Sequence, residues 1–273
     1  MALQITQGKP ELHRVATGWR RPFPRLFVRR ECWGLTRSAK LGILAVFLCS
    51  LMVVTWFIHP FLAITAPVNT EYLVVEAWIP RYALQESVVL YQKGGYRKAF
   101  TSGCPRTDDL GSSSKTSSAE AAAIQMERFG MSTNAVTAVS CWVERKDRTF
   151  NSALTLKEWF QQNGMPVSAI DVVTLGPHAR RSRLLYEKAF GNKVKVGVIS
   201  IEDRSYDPAH WWRCSEGVRE VVGEGIAYIY ARVFFHPSEK NLNNGNTNDT
   251  NRPFSTAATV DATSHQSVVA KLP

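Results

Sequence analysis

Residues Val172–Leu185 read VVTLGPHARRSRLL. An apolar, β-branched run ends in Gly176-Pro177, and four basic side chains follow at once: His178, Arg180, Arg181 and Arg183. The first half suits a buried strand. The second suits a helix opened by proline, whose fixed φ and missing N–H fit the first turn. A strand that turns directly into a helix is one step of a parallel sheet. The cations raise a separate question, because they crowd a helix N-terminus where the dipole is already positive. Each such charge is unfavourable there by about 0.3–1 kcal/mol. A bound anion, or a carboxylate such as Glu76 or Glu120, would remove that cost.

The alternation extends on both sides. Short apolar runs at 71–79, 97–103, 135–142, 170–176 and 193–201 are expected as strands. Helices are expected at 82–95, 117–130, 148–164 and 177–190, several of them stopped by glycine. A last helix, 211–235, carries Val218, Val221, Val222, Ile226, Ile229 and Val233 along one side. The fold class is therefore α/β: a Rossmann-like, doubly wound, mostly parallel five-stranded sheet in the strand order 3-2-1-4-5. Both faces of such a sheet are covered, which suits strands without polar alternation.

The +10 net charge of the 273-residue chain suggests nucleic acid only until it is mapped. Nine Lys/Arg against Glu11 and Glu31 give residues 1–40 a charge of +7 and leave +3 for the rest. No general polyanion-binding domain is indicated. The basic tail precedes LGILAVFLCSLMVVTWFI, Leu41–Ile58, and no charged residue follows before Glu71. Residues 41–64 read as one transmembrane helix, long enough to cross the hydrocarbon core. The positive-inside rule puts residues 1–40 in the cytoplasm and the main domain, 71–235, across the membrane. A cleavable signal would need a shorter apolar stretch and a better cleavage site than AITAPV. Residues 236–273, polar and Asn-rich, are expected to be a disordered tail.

Cys104 and Cys141 end the second and third strands, so a disulfide and a nucleophilic Cys104 are both open. No CxxC or HxxxH spacing suggests a metal, and GxSxG, GxGxxG and Walker motifs are absent.

In an open α/β sheet the ligand site lies beyond the strand carboxyl ends. There this chain has Glu76 and Trp78, then Ser102-Gly103-Cys104, with Ser117 and Glu120 opening the next helix. Arg148, Thr149 and Asn151 open the third, and His178 and Arg181 the fourth. His178 and Arg181 share a helix face by their i, i+3 spacing and are read as an anion cradle. Arg180 and Arg183 are read as surface charges lying over apolar neighbours. Thr149 is a candidate N-cap and Glu120 suits a first helical turn.

The SG after the second strand, SAEAA and RTFNSA opening two helices, and GPHARRSRLLYEKAFG after the fourth strand resemble the YdcF/SanA/ElyC-like family. The likeness runs from about Tyr72 to Phe235, and WWRCSEGVREVVGEGIAYIYARVFF is similar to the close of an anchored subgroup. The resemblance implies a bacterial inner-membrane protein with an extracytoplasmic Rossmann-like domain, serving envelope biogenesis and barrier integrity. It assigns the ligand site to Ser102, Gly103, Glu120, Arg148, Thr149, Asn151, His178 and Arg181. One relative of that family is associated with S-adenosylmethionine. Where the family commonly has a glycine pair and a further glycine, this chain has Glu76-Ala77-Trp78 and Cys104. The expected function is binding of an anionic, phosphorylated envelope precursor, either a small molecule or lipid-linked. Glu120 or Glu76 would act as acid or base, and Ser102 and Asn151 would position the substrate. A non-catalytic sensor or scaffold and an S-adenosylmethionine-binding domain are the alternatives.

Overall fold

A computed structural model describes residues 36–104, 117–141 and 146–237. The expectations for the basic tail, for the loop after the second strand and for the C-terminal tail lie largely outside these residues. The chain divides into two units after Leu48. Residues 36–48 hold the first half of helix α1 (Arg37–Leu62), with almost every side chain exposed. Its 26 residues span about 39 Å at 1.5 Å per residue, more than the hydrocarbon core requires. No part of its most apolar stretch is buried, so it is long and apolar enough to cross a membrane.

The second unit holds the rest: β1 (Tyr72–Glu76), α2 (Arg81–Gly94), β2 (Lys98–Gly103), α3 (Ser118–Arg128), β3 (Val136–Ser140) and α4 (Arg148–Gln162). Then come β4 (Ala169–Leu175), α5 (Ala179–Phe190), β5 (Lys195–Ile201) and α6 (Ser215–Val233). The five strands are all parallel, in the order β3-β2-β1-β4-β5. The chain runs outward from β1 to β3 and then crosses back to β4. A switch point therefore lies between β1 and β4, where the connections leave in opposite directions.

Side-chain alternation along the strands separates two cores. Val74, Phe100, Ile170 and Val172 face α4 and α5, meeting Leu156, Phe160, Tyr186 and Phe190. Leu73, Val75, Ala99 and Val173 face α2 and α3, meeting Val88, Ala122 and Met126. Both faces of β1 are buried, as an inner parallel strand requires.

Two boundaries differ from the sequence expectation. The first strand stops at Glu76, because Ile79 N–H turns back to the Glu76 carbonyl and Pro80 precedes α2. The last helix begins at Ser215 after a 3₁₀ segment, Pro208–Arg213. Of the apolar residues expected along one side only Val221 is buried; Val218, Val222, Ile226, Ile229 and Val233 are exposed. Gly217 explains the inward choice: a Cβ there would lie 2.3 Å from the Trp211 carbonyl oxygen. Small residues thus let the backbone of α6 approach its neighbours.

The linker between α1 and β1 is stitched to the sheet edge. Ala66 pairs antiparallel with Val198 of β5, which covers an otherwise open edge strand. Asp171, buried in β4, accepts from the Val68 N–H at 2.7 Å and the Tyr96 hydroxyl at 2.8 Å. The closing turns of α1 then meet the domain. Leu62 is fully buried with Tyr206, Trp211 and Val221. Trp211 Nε1 donates to the Thr55 carbonyl at 3.1 Å.

Candidate functional site

Glu76 ends β1 at the switch point, where its neighbour across the gap is β4. It is 3 % exposed, and a carboxylate so placed must have its hydrogen bonds supplied. Thr174 of β4 donates to Oε2, Ser182 of α5 donates to both oxygens at 3.0 and 3.1 Å, and Trp78 Nε1 donates at 3.1 Å. Glu76 therefore joins β1, β4 and α5 at the carboxyl edge.

Above it stands His178, which closes the 3₁₀ turn Gly176–His178 before α5. Gly176 has φ +45°, a left-handed backbone that favours glycine. The imidazole lies 4.7 Å from the Trp78 ring in an edge-on contact. Its Nε2 is 3.8 Å from Glu76 Oε2, beyond hydrogen-bond range, while Nδ1 is 2.8 Å from Glu224 Oε1. Arg181 grips the same carboxylate, Nε to Oε2 at 2.7 Å and Nη2 to Oε1 at 2.9 Å. Burial pushes the Glu224 pKa up, but the hydrogen bonds from His178 and Arg181 outweigh it and hold the carboxyl well below the usual range. Arg181 Nη2 also lies 2.9 Å from His178 Nδ1, so the imidazole is held inside the Arg181–Glu224 pair.

Glu224 is the residue that sequence reading missed, and it answers the question posed by the basic run. His178 and Arg181 are neutralised by a glutamate on α6, neither Glu76 alone nor Glu120. Arg180 stacks 3.9 Å above the Phe61 ring and its Nε donates to the Phe61 carbonyl, one of the unpaired carbonyls at the end of α1. Arg183 pairs with Glu187 one turn on, at 2.8 Å. A signal for Glu224 was present: it is a lone carboxylate between two glycines in VVGEGIAYI.

Glu76, Trp78, His178 and Arg181 line a cavity of 490 Å³ at the strand carboxyl edge, a size suited to a small ligand. Ser102, Gly103, Arg148, Thr149, His178 and Arg181 all reach it, as does Glu76. Gly103 has a steric reason to be glycine, since a Cβ would come within 2.8 Å of Ala77 Cβ and 2.9 Å of Ser118 Oγ. Ser102 is buried and donates to the Ser152 carbonyl at 3.2 Å. Arg148 sends Nη2 to the Cys104 carbonyl at 3.0 Å, while its buried Nε has no partner among the described residues. Beside it the start of α4 opens without a side-chain cap. The N-cap is Asp147, at φ 53°, and not Thr149.

Two expected site residues are elsewhere engaged. Glu120 forms a capping box with Ser117, taking the Ser117 N–H at 2.9 Å while Ser117 Oγ takes its own N–H at 3.1 Å. It does not line the cavity. Asn151 turns away as well, donating to the Lys146 and Asp147 carbonyls at 3.0 and 3.1 Å. The nucleophile reading of Cys104 is corrected: Cys104 and Cys141 are joined in a disulfide, with Cα atoms 4.6 Å apart across adjacent strands. Among the described residues no His, Cys, Asp and Glu cluster is arranged to hold a metal ion.

No known family, curated protein or solved structure matches this chain. The site must be judged on its own chemistry. It contains one self-neutralised cluster, Arg181–Glu224–His178, one fully bonded carboxylate, Glu76, and one cation with an unused donor, Arg148. A ligand with an anionic group would complete Arg148 and the α4 N-terminus, and His178 Nε2 would face it as a proton donor or acceptor.

Proposed function

We propose that this chain is a membrane-anchored, Rossmann-like protein of cell-envelope biogenesis that binds an anionic, phosphorylated precursor at the carboxyl edge of its sheet. Its resemblance to the YdcF/SanA/ElyC-like family motivates the cellular role. The observation that carries the ligand class is Arg148, whose buried Nε lacks a partner among the described residues, beside a helix start with no side-chain cap. In this reading Arg148 and Thr149 hold the anion, and Ser102 and Gly103 shape the floor. Glu224 orients His178, and Arg181 locks Glu224. The disulfide supports an oxidising, extracytoplasmic location for the domain, with α1 as the single anchor and its basic flank in the cytoplasm.

The test uses the full chain in lipid nanodiscs. Mass spectrometry of co-purifying small molecules, with calorimetric titration of inorganic phosphate, compares wild type with Arg148→Ala. Phosphate-bearing species are retained by wild type and lost from the variant. Equal retention by both sinks the assignment.

A second reading is binding without turnover, as in a sensor or scaffold. It is favoured by the hydrogen bonds that occupy Glu76, by the ion pair that occupies Glu224 and by the absence of Glu120 from the cavity. Conversion of a retained species by wild type, lost in His178→Gln, assigns catalysis; retention without conversion assigns the sensor.

A further inference from the structure

Among the described residues, the apolar side of α6 is left exposed along the length of the helix. Val218, Val222, Ile226, Ile229 and Val233 follow at spacings of three and four, hence on one face. Ile226 and Ile229 are 65 % and 58 % exposed. At 100° per residue, Arg219 and Arg232 flank this stripe, whereas Glu216, Glu220 and Glu224 fall on the opposite half of the helix. An apolar face edged by cations, with its acids turned away, is the pattern of a helix lying at an anionic lipid surface.

Position strengthens this reading. Gly225, at the border of the stripe, is where α6 meets α1: a Cβ there would lie 3.3 Å from Ile58 Cδ1 and 3.9 Å from Leu62 Cδ1. Phe61 meets Tyr228 with ring centroids 5.6 Å apart. Trp56 meets Trp212 at the same separation, and Trp211 reaches the Thr55 carbonyl. Three tryptophans therefore gather at the outer end of the apolar helix, the level at which indoles settle in a bilayer interface. Thr55–Leu62 close the candidate span, so whatever packs against them sits at the level of the membrane interface.

We infer that α6 is a membrane-surface element: its stripe Val218–Val233 rests in the headgroup and acyl boundary of the bilayer that α1 crosses. The lipid surface is the committed occupant, because Gly225 at the border of the stripe packs against Ile58 and Leu62 of α1. Tyr230 is both exposed and part of the cavity wall. The cavity mouth accordingly borders the bilayer, and an amphiphile reaches it by lateral diffusion. The inference rests on the anchor of the proposed function, and not on the identity of the ligand.

The experiment reconstitutes the full chain in bilayers of phosphatidylethanolamine and phosphatidylglycerol containing a phosphatidylcholine with an acyl-chain diazirine. After illumination, peptide mapping locates the adducts. Adducts are expected on α1 and on 218–233, and none on Val89 of α2 or Ile124 of α3, which are also apolar and exposed. In Ile226→Glu/Ile229→Glu the α6 adducts are lost while those on α1 remain. Labelled α1 with unlabelled α6 overturns the inference and leaves the anchor standing. Absence of adducts from both removes the anchor as well. Short-range crosslinks joining α6 to α6 of a second copy, without lipid adducts, replace the bilayer by a dimer and equally overturn it.

Discussion

Arg181 and Glu224 form a two-point ion pair between α5 and α6, through contacts of 2.7 and 2.9 Å, and His178 shares one of the two carboxylate oxygens. The pair neutralises Arg181 in a partly buried joint. It also makes α6 one wall of the cavity, so the last helix is part of the site.

Removing Glu224 leaves a partly buried guanidinium without its counter-charge. Glu224→Ala is expected to lose about 3–5 kcal/mol of stability, read by chemical denaturation. A loss no larger than that of a surface substitution would show that the joint is not structural.

The same group sets a pH dependence. Its folded pKa is depressed, so an ionised Glu224 stabilises the native state above its ordinary value of 4.5. Below that pH the unfolded chain takes up the proton first, and the stabilisation drains away. The stability gap between wild type and Glu224→Gln should be constant above about pH 5 and close as pH falls further. A gap unchanged down to pH 3 contradicts the assignment.

The disulfide closes a sequence separation of 37 residues, which by loop-closure entropy is worth about 4 kcal/mol. Cys104→Ala/Cys141→Ala should unfold at correspondingly lower denaturant. Thiol titration of the native full chain should find these two cysteines unreactive until a reductant is added.

Glu120 separates a capping role from a catalytic one. Glu120→Ala is expected to cost about 1 kcal/mol through the lost capping box, with phosphate retention unchanged. Glu120→Gln should recover most of the stability, since its side-chain oxygen still accepts the Ser117 N–H. Loss of retention in Glu120→Gln would return this residue to the site.

Gly197 tests how the linker is held. A Cβ there would fall 1.9 Å from Asp171 Oδ1 and 2.6 Å from the Val68 nitrogen. Gly197→Ala should destabilise by about 1–3 kcal/mol through overpacking. Hydrogen exchange should rise at Val68 first, because its N–H donates to the displaced carboxylate.

Much of the architecture was legible in the residues themselves. Period and turn chemistry are local properties, and VVTLGPHARRSRLL announces a strand, a turn and a helix without reference to anything distant. The repeated unit then restricts strand direction to parallel and puts the polar strand ends on one edge, which is why Glu76, Ser102, Arg148 and His178 could be named together. Glu120 and Asn151 fall with them in the sequence because a polar residue in a first helical turn looks the same whether it serves the local backbone or a ligand. Only three-dimensional packing determined that Glu120 closes on Ser117, that Arg181 meets a glutamate 43 positions away, and that Cys104 meets Cys141. The outward turn of the apolar side of α6 was also undecidable from its period, which marks a face and not what covers it. Pairings between distant segments depend on which helix docks where, and that is an outcome of the whole folded chain.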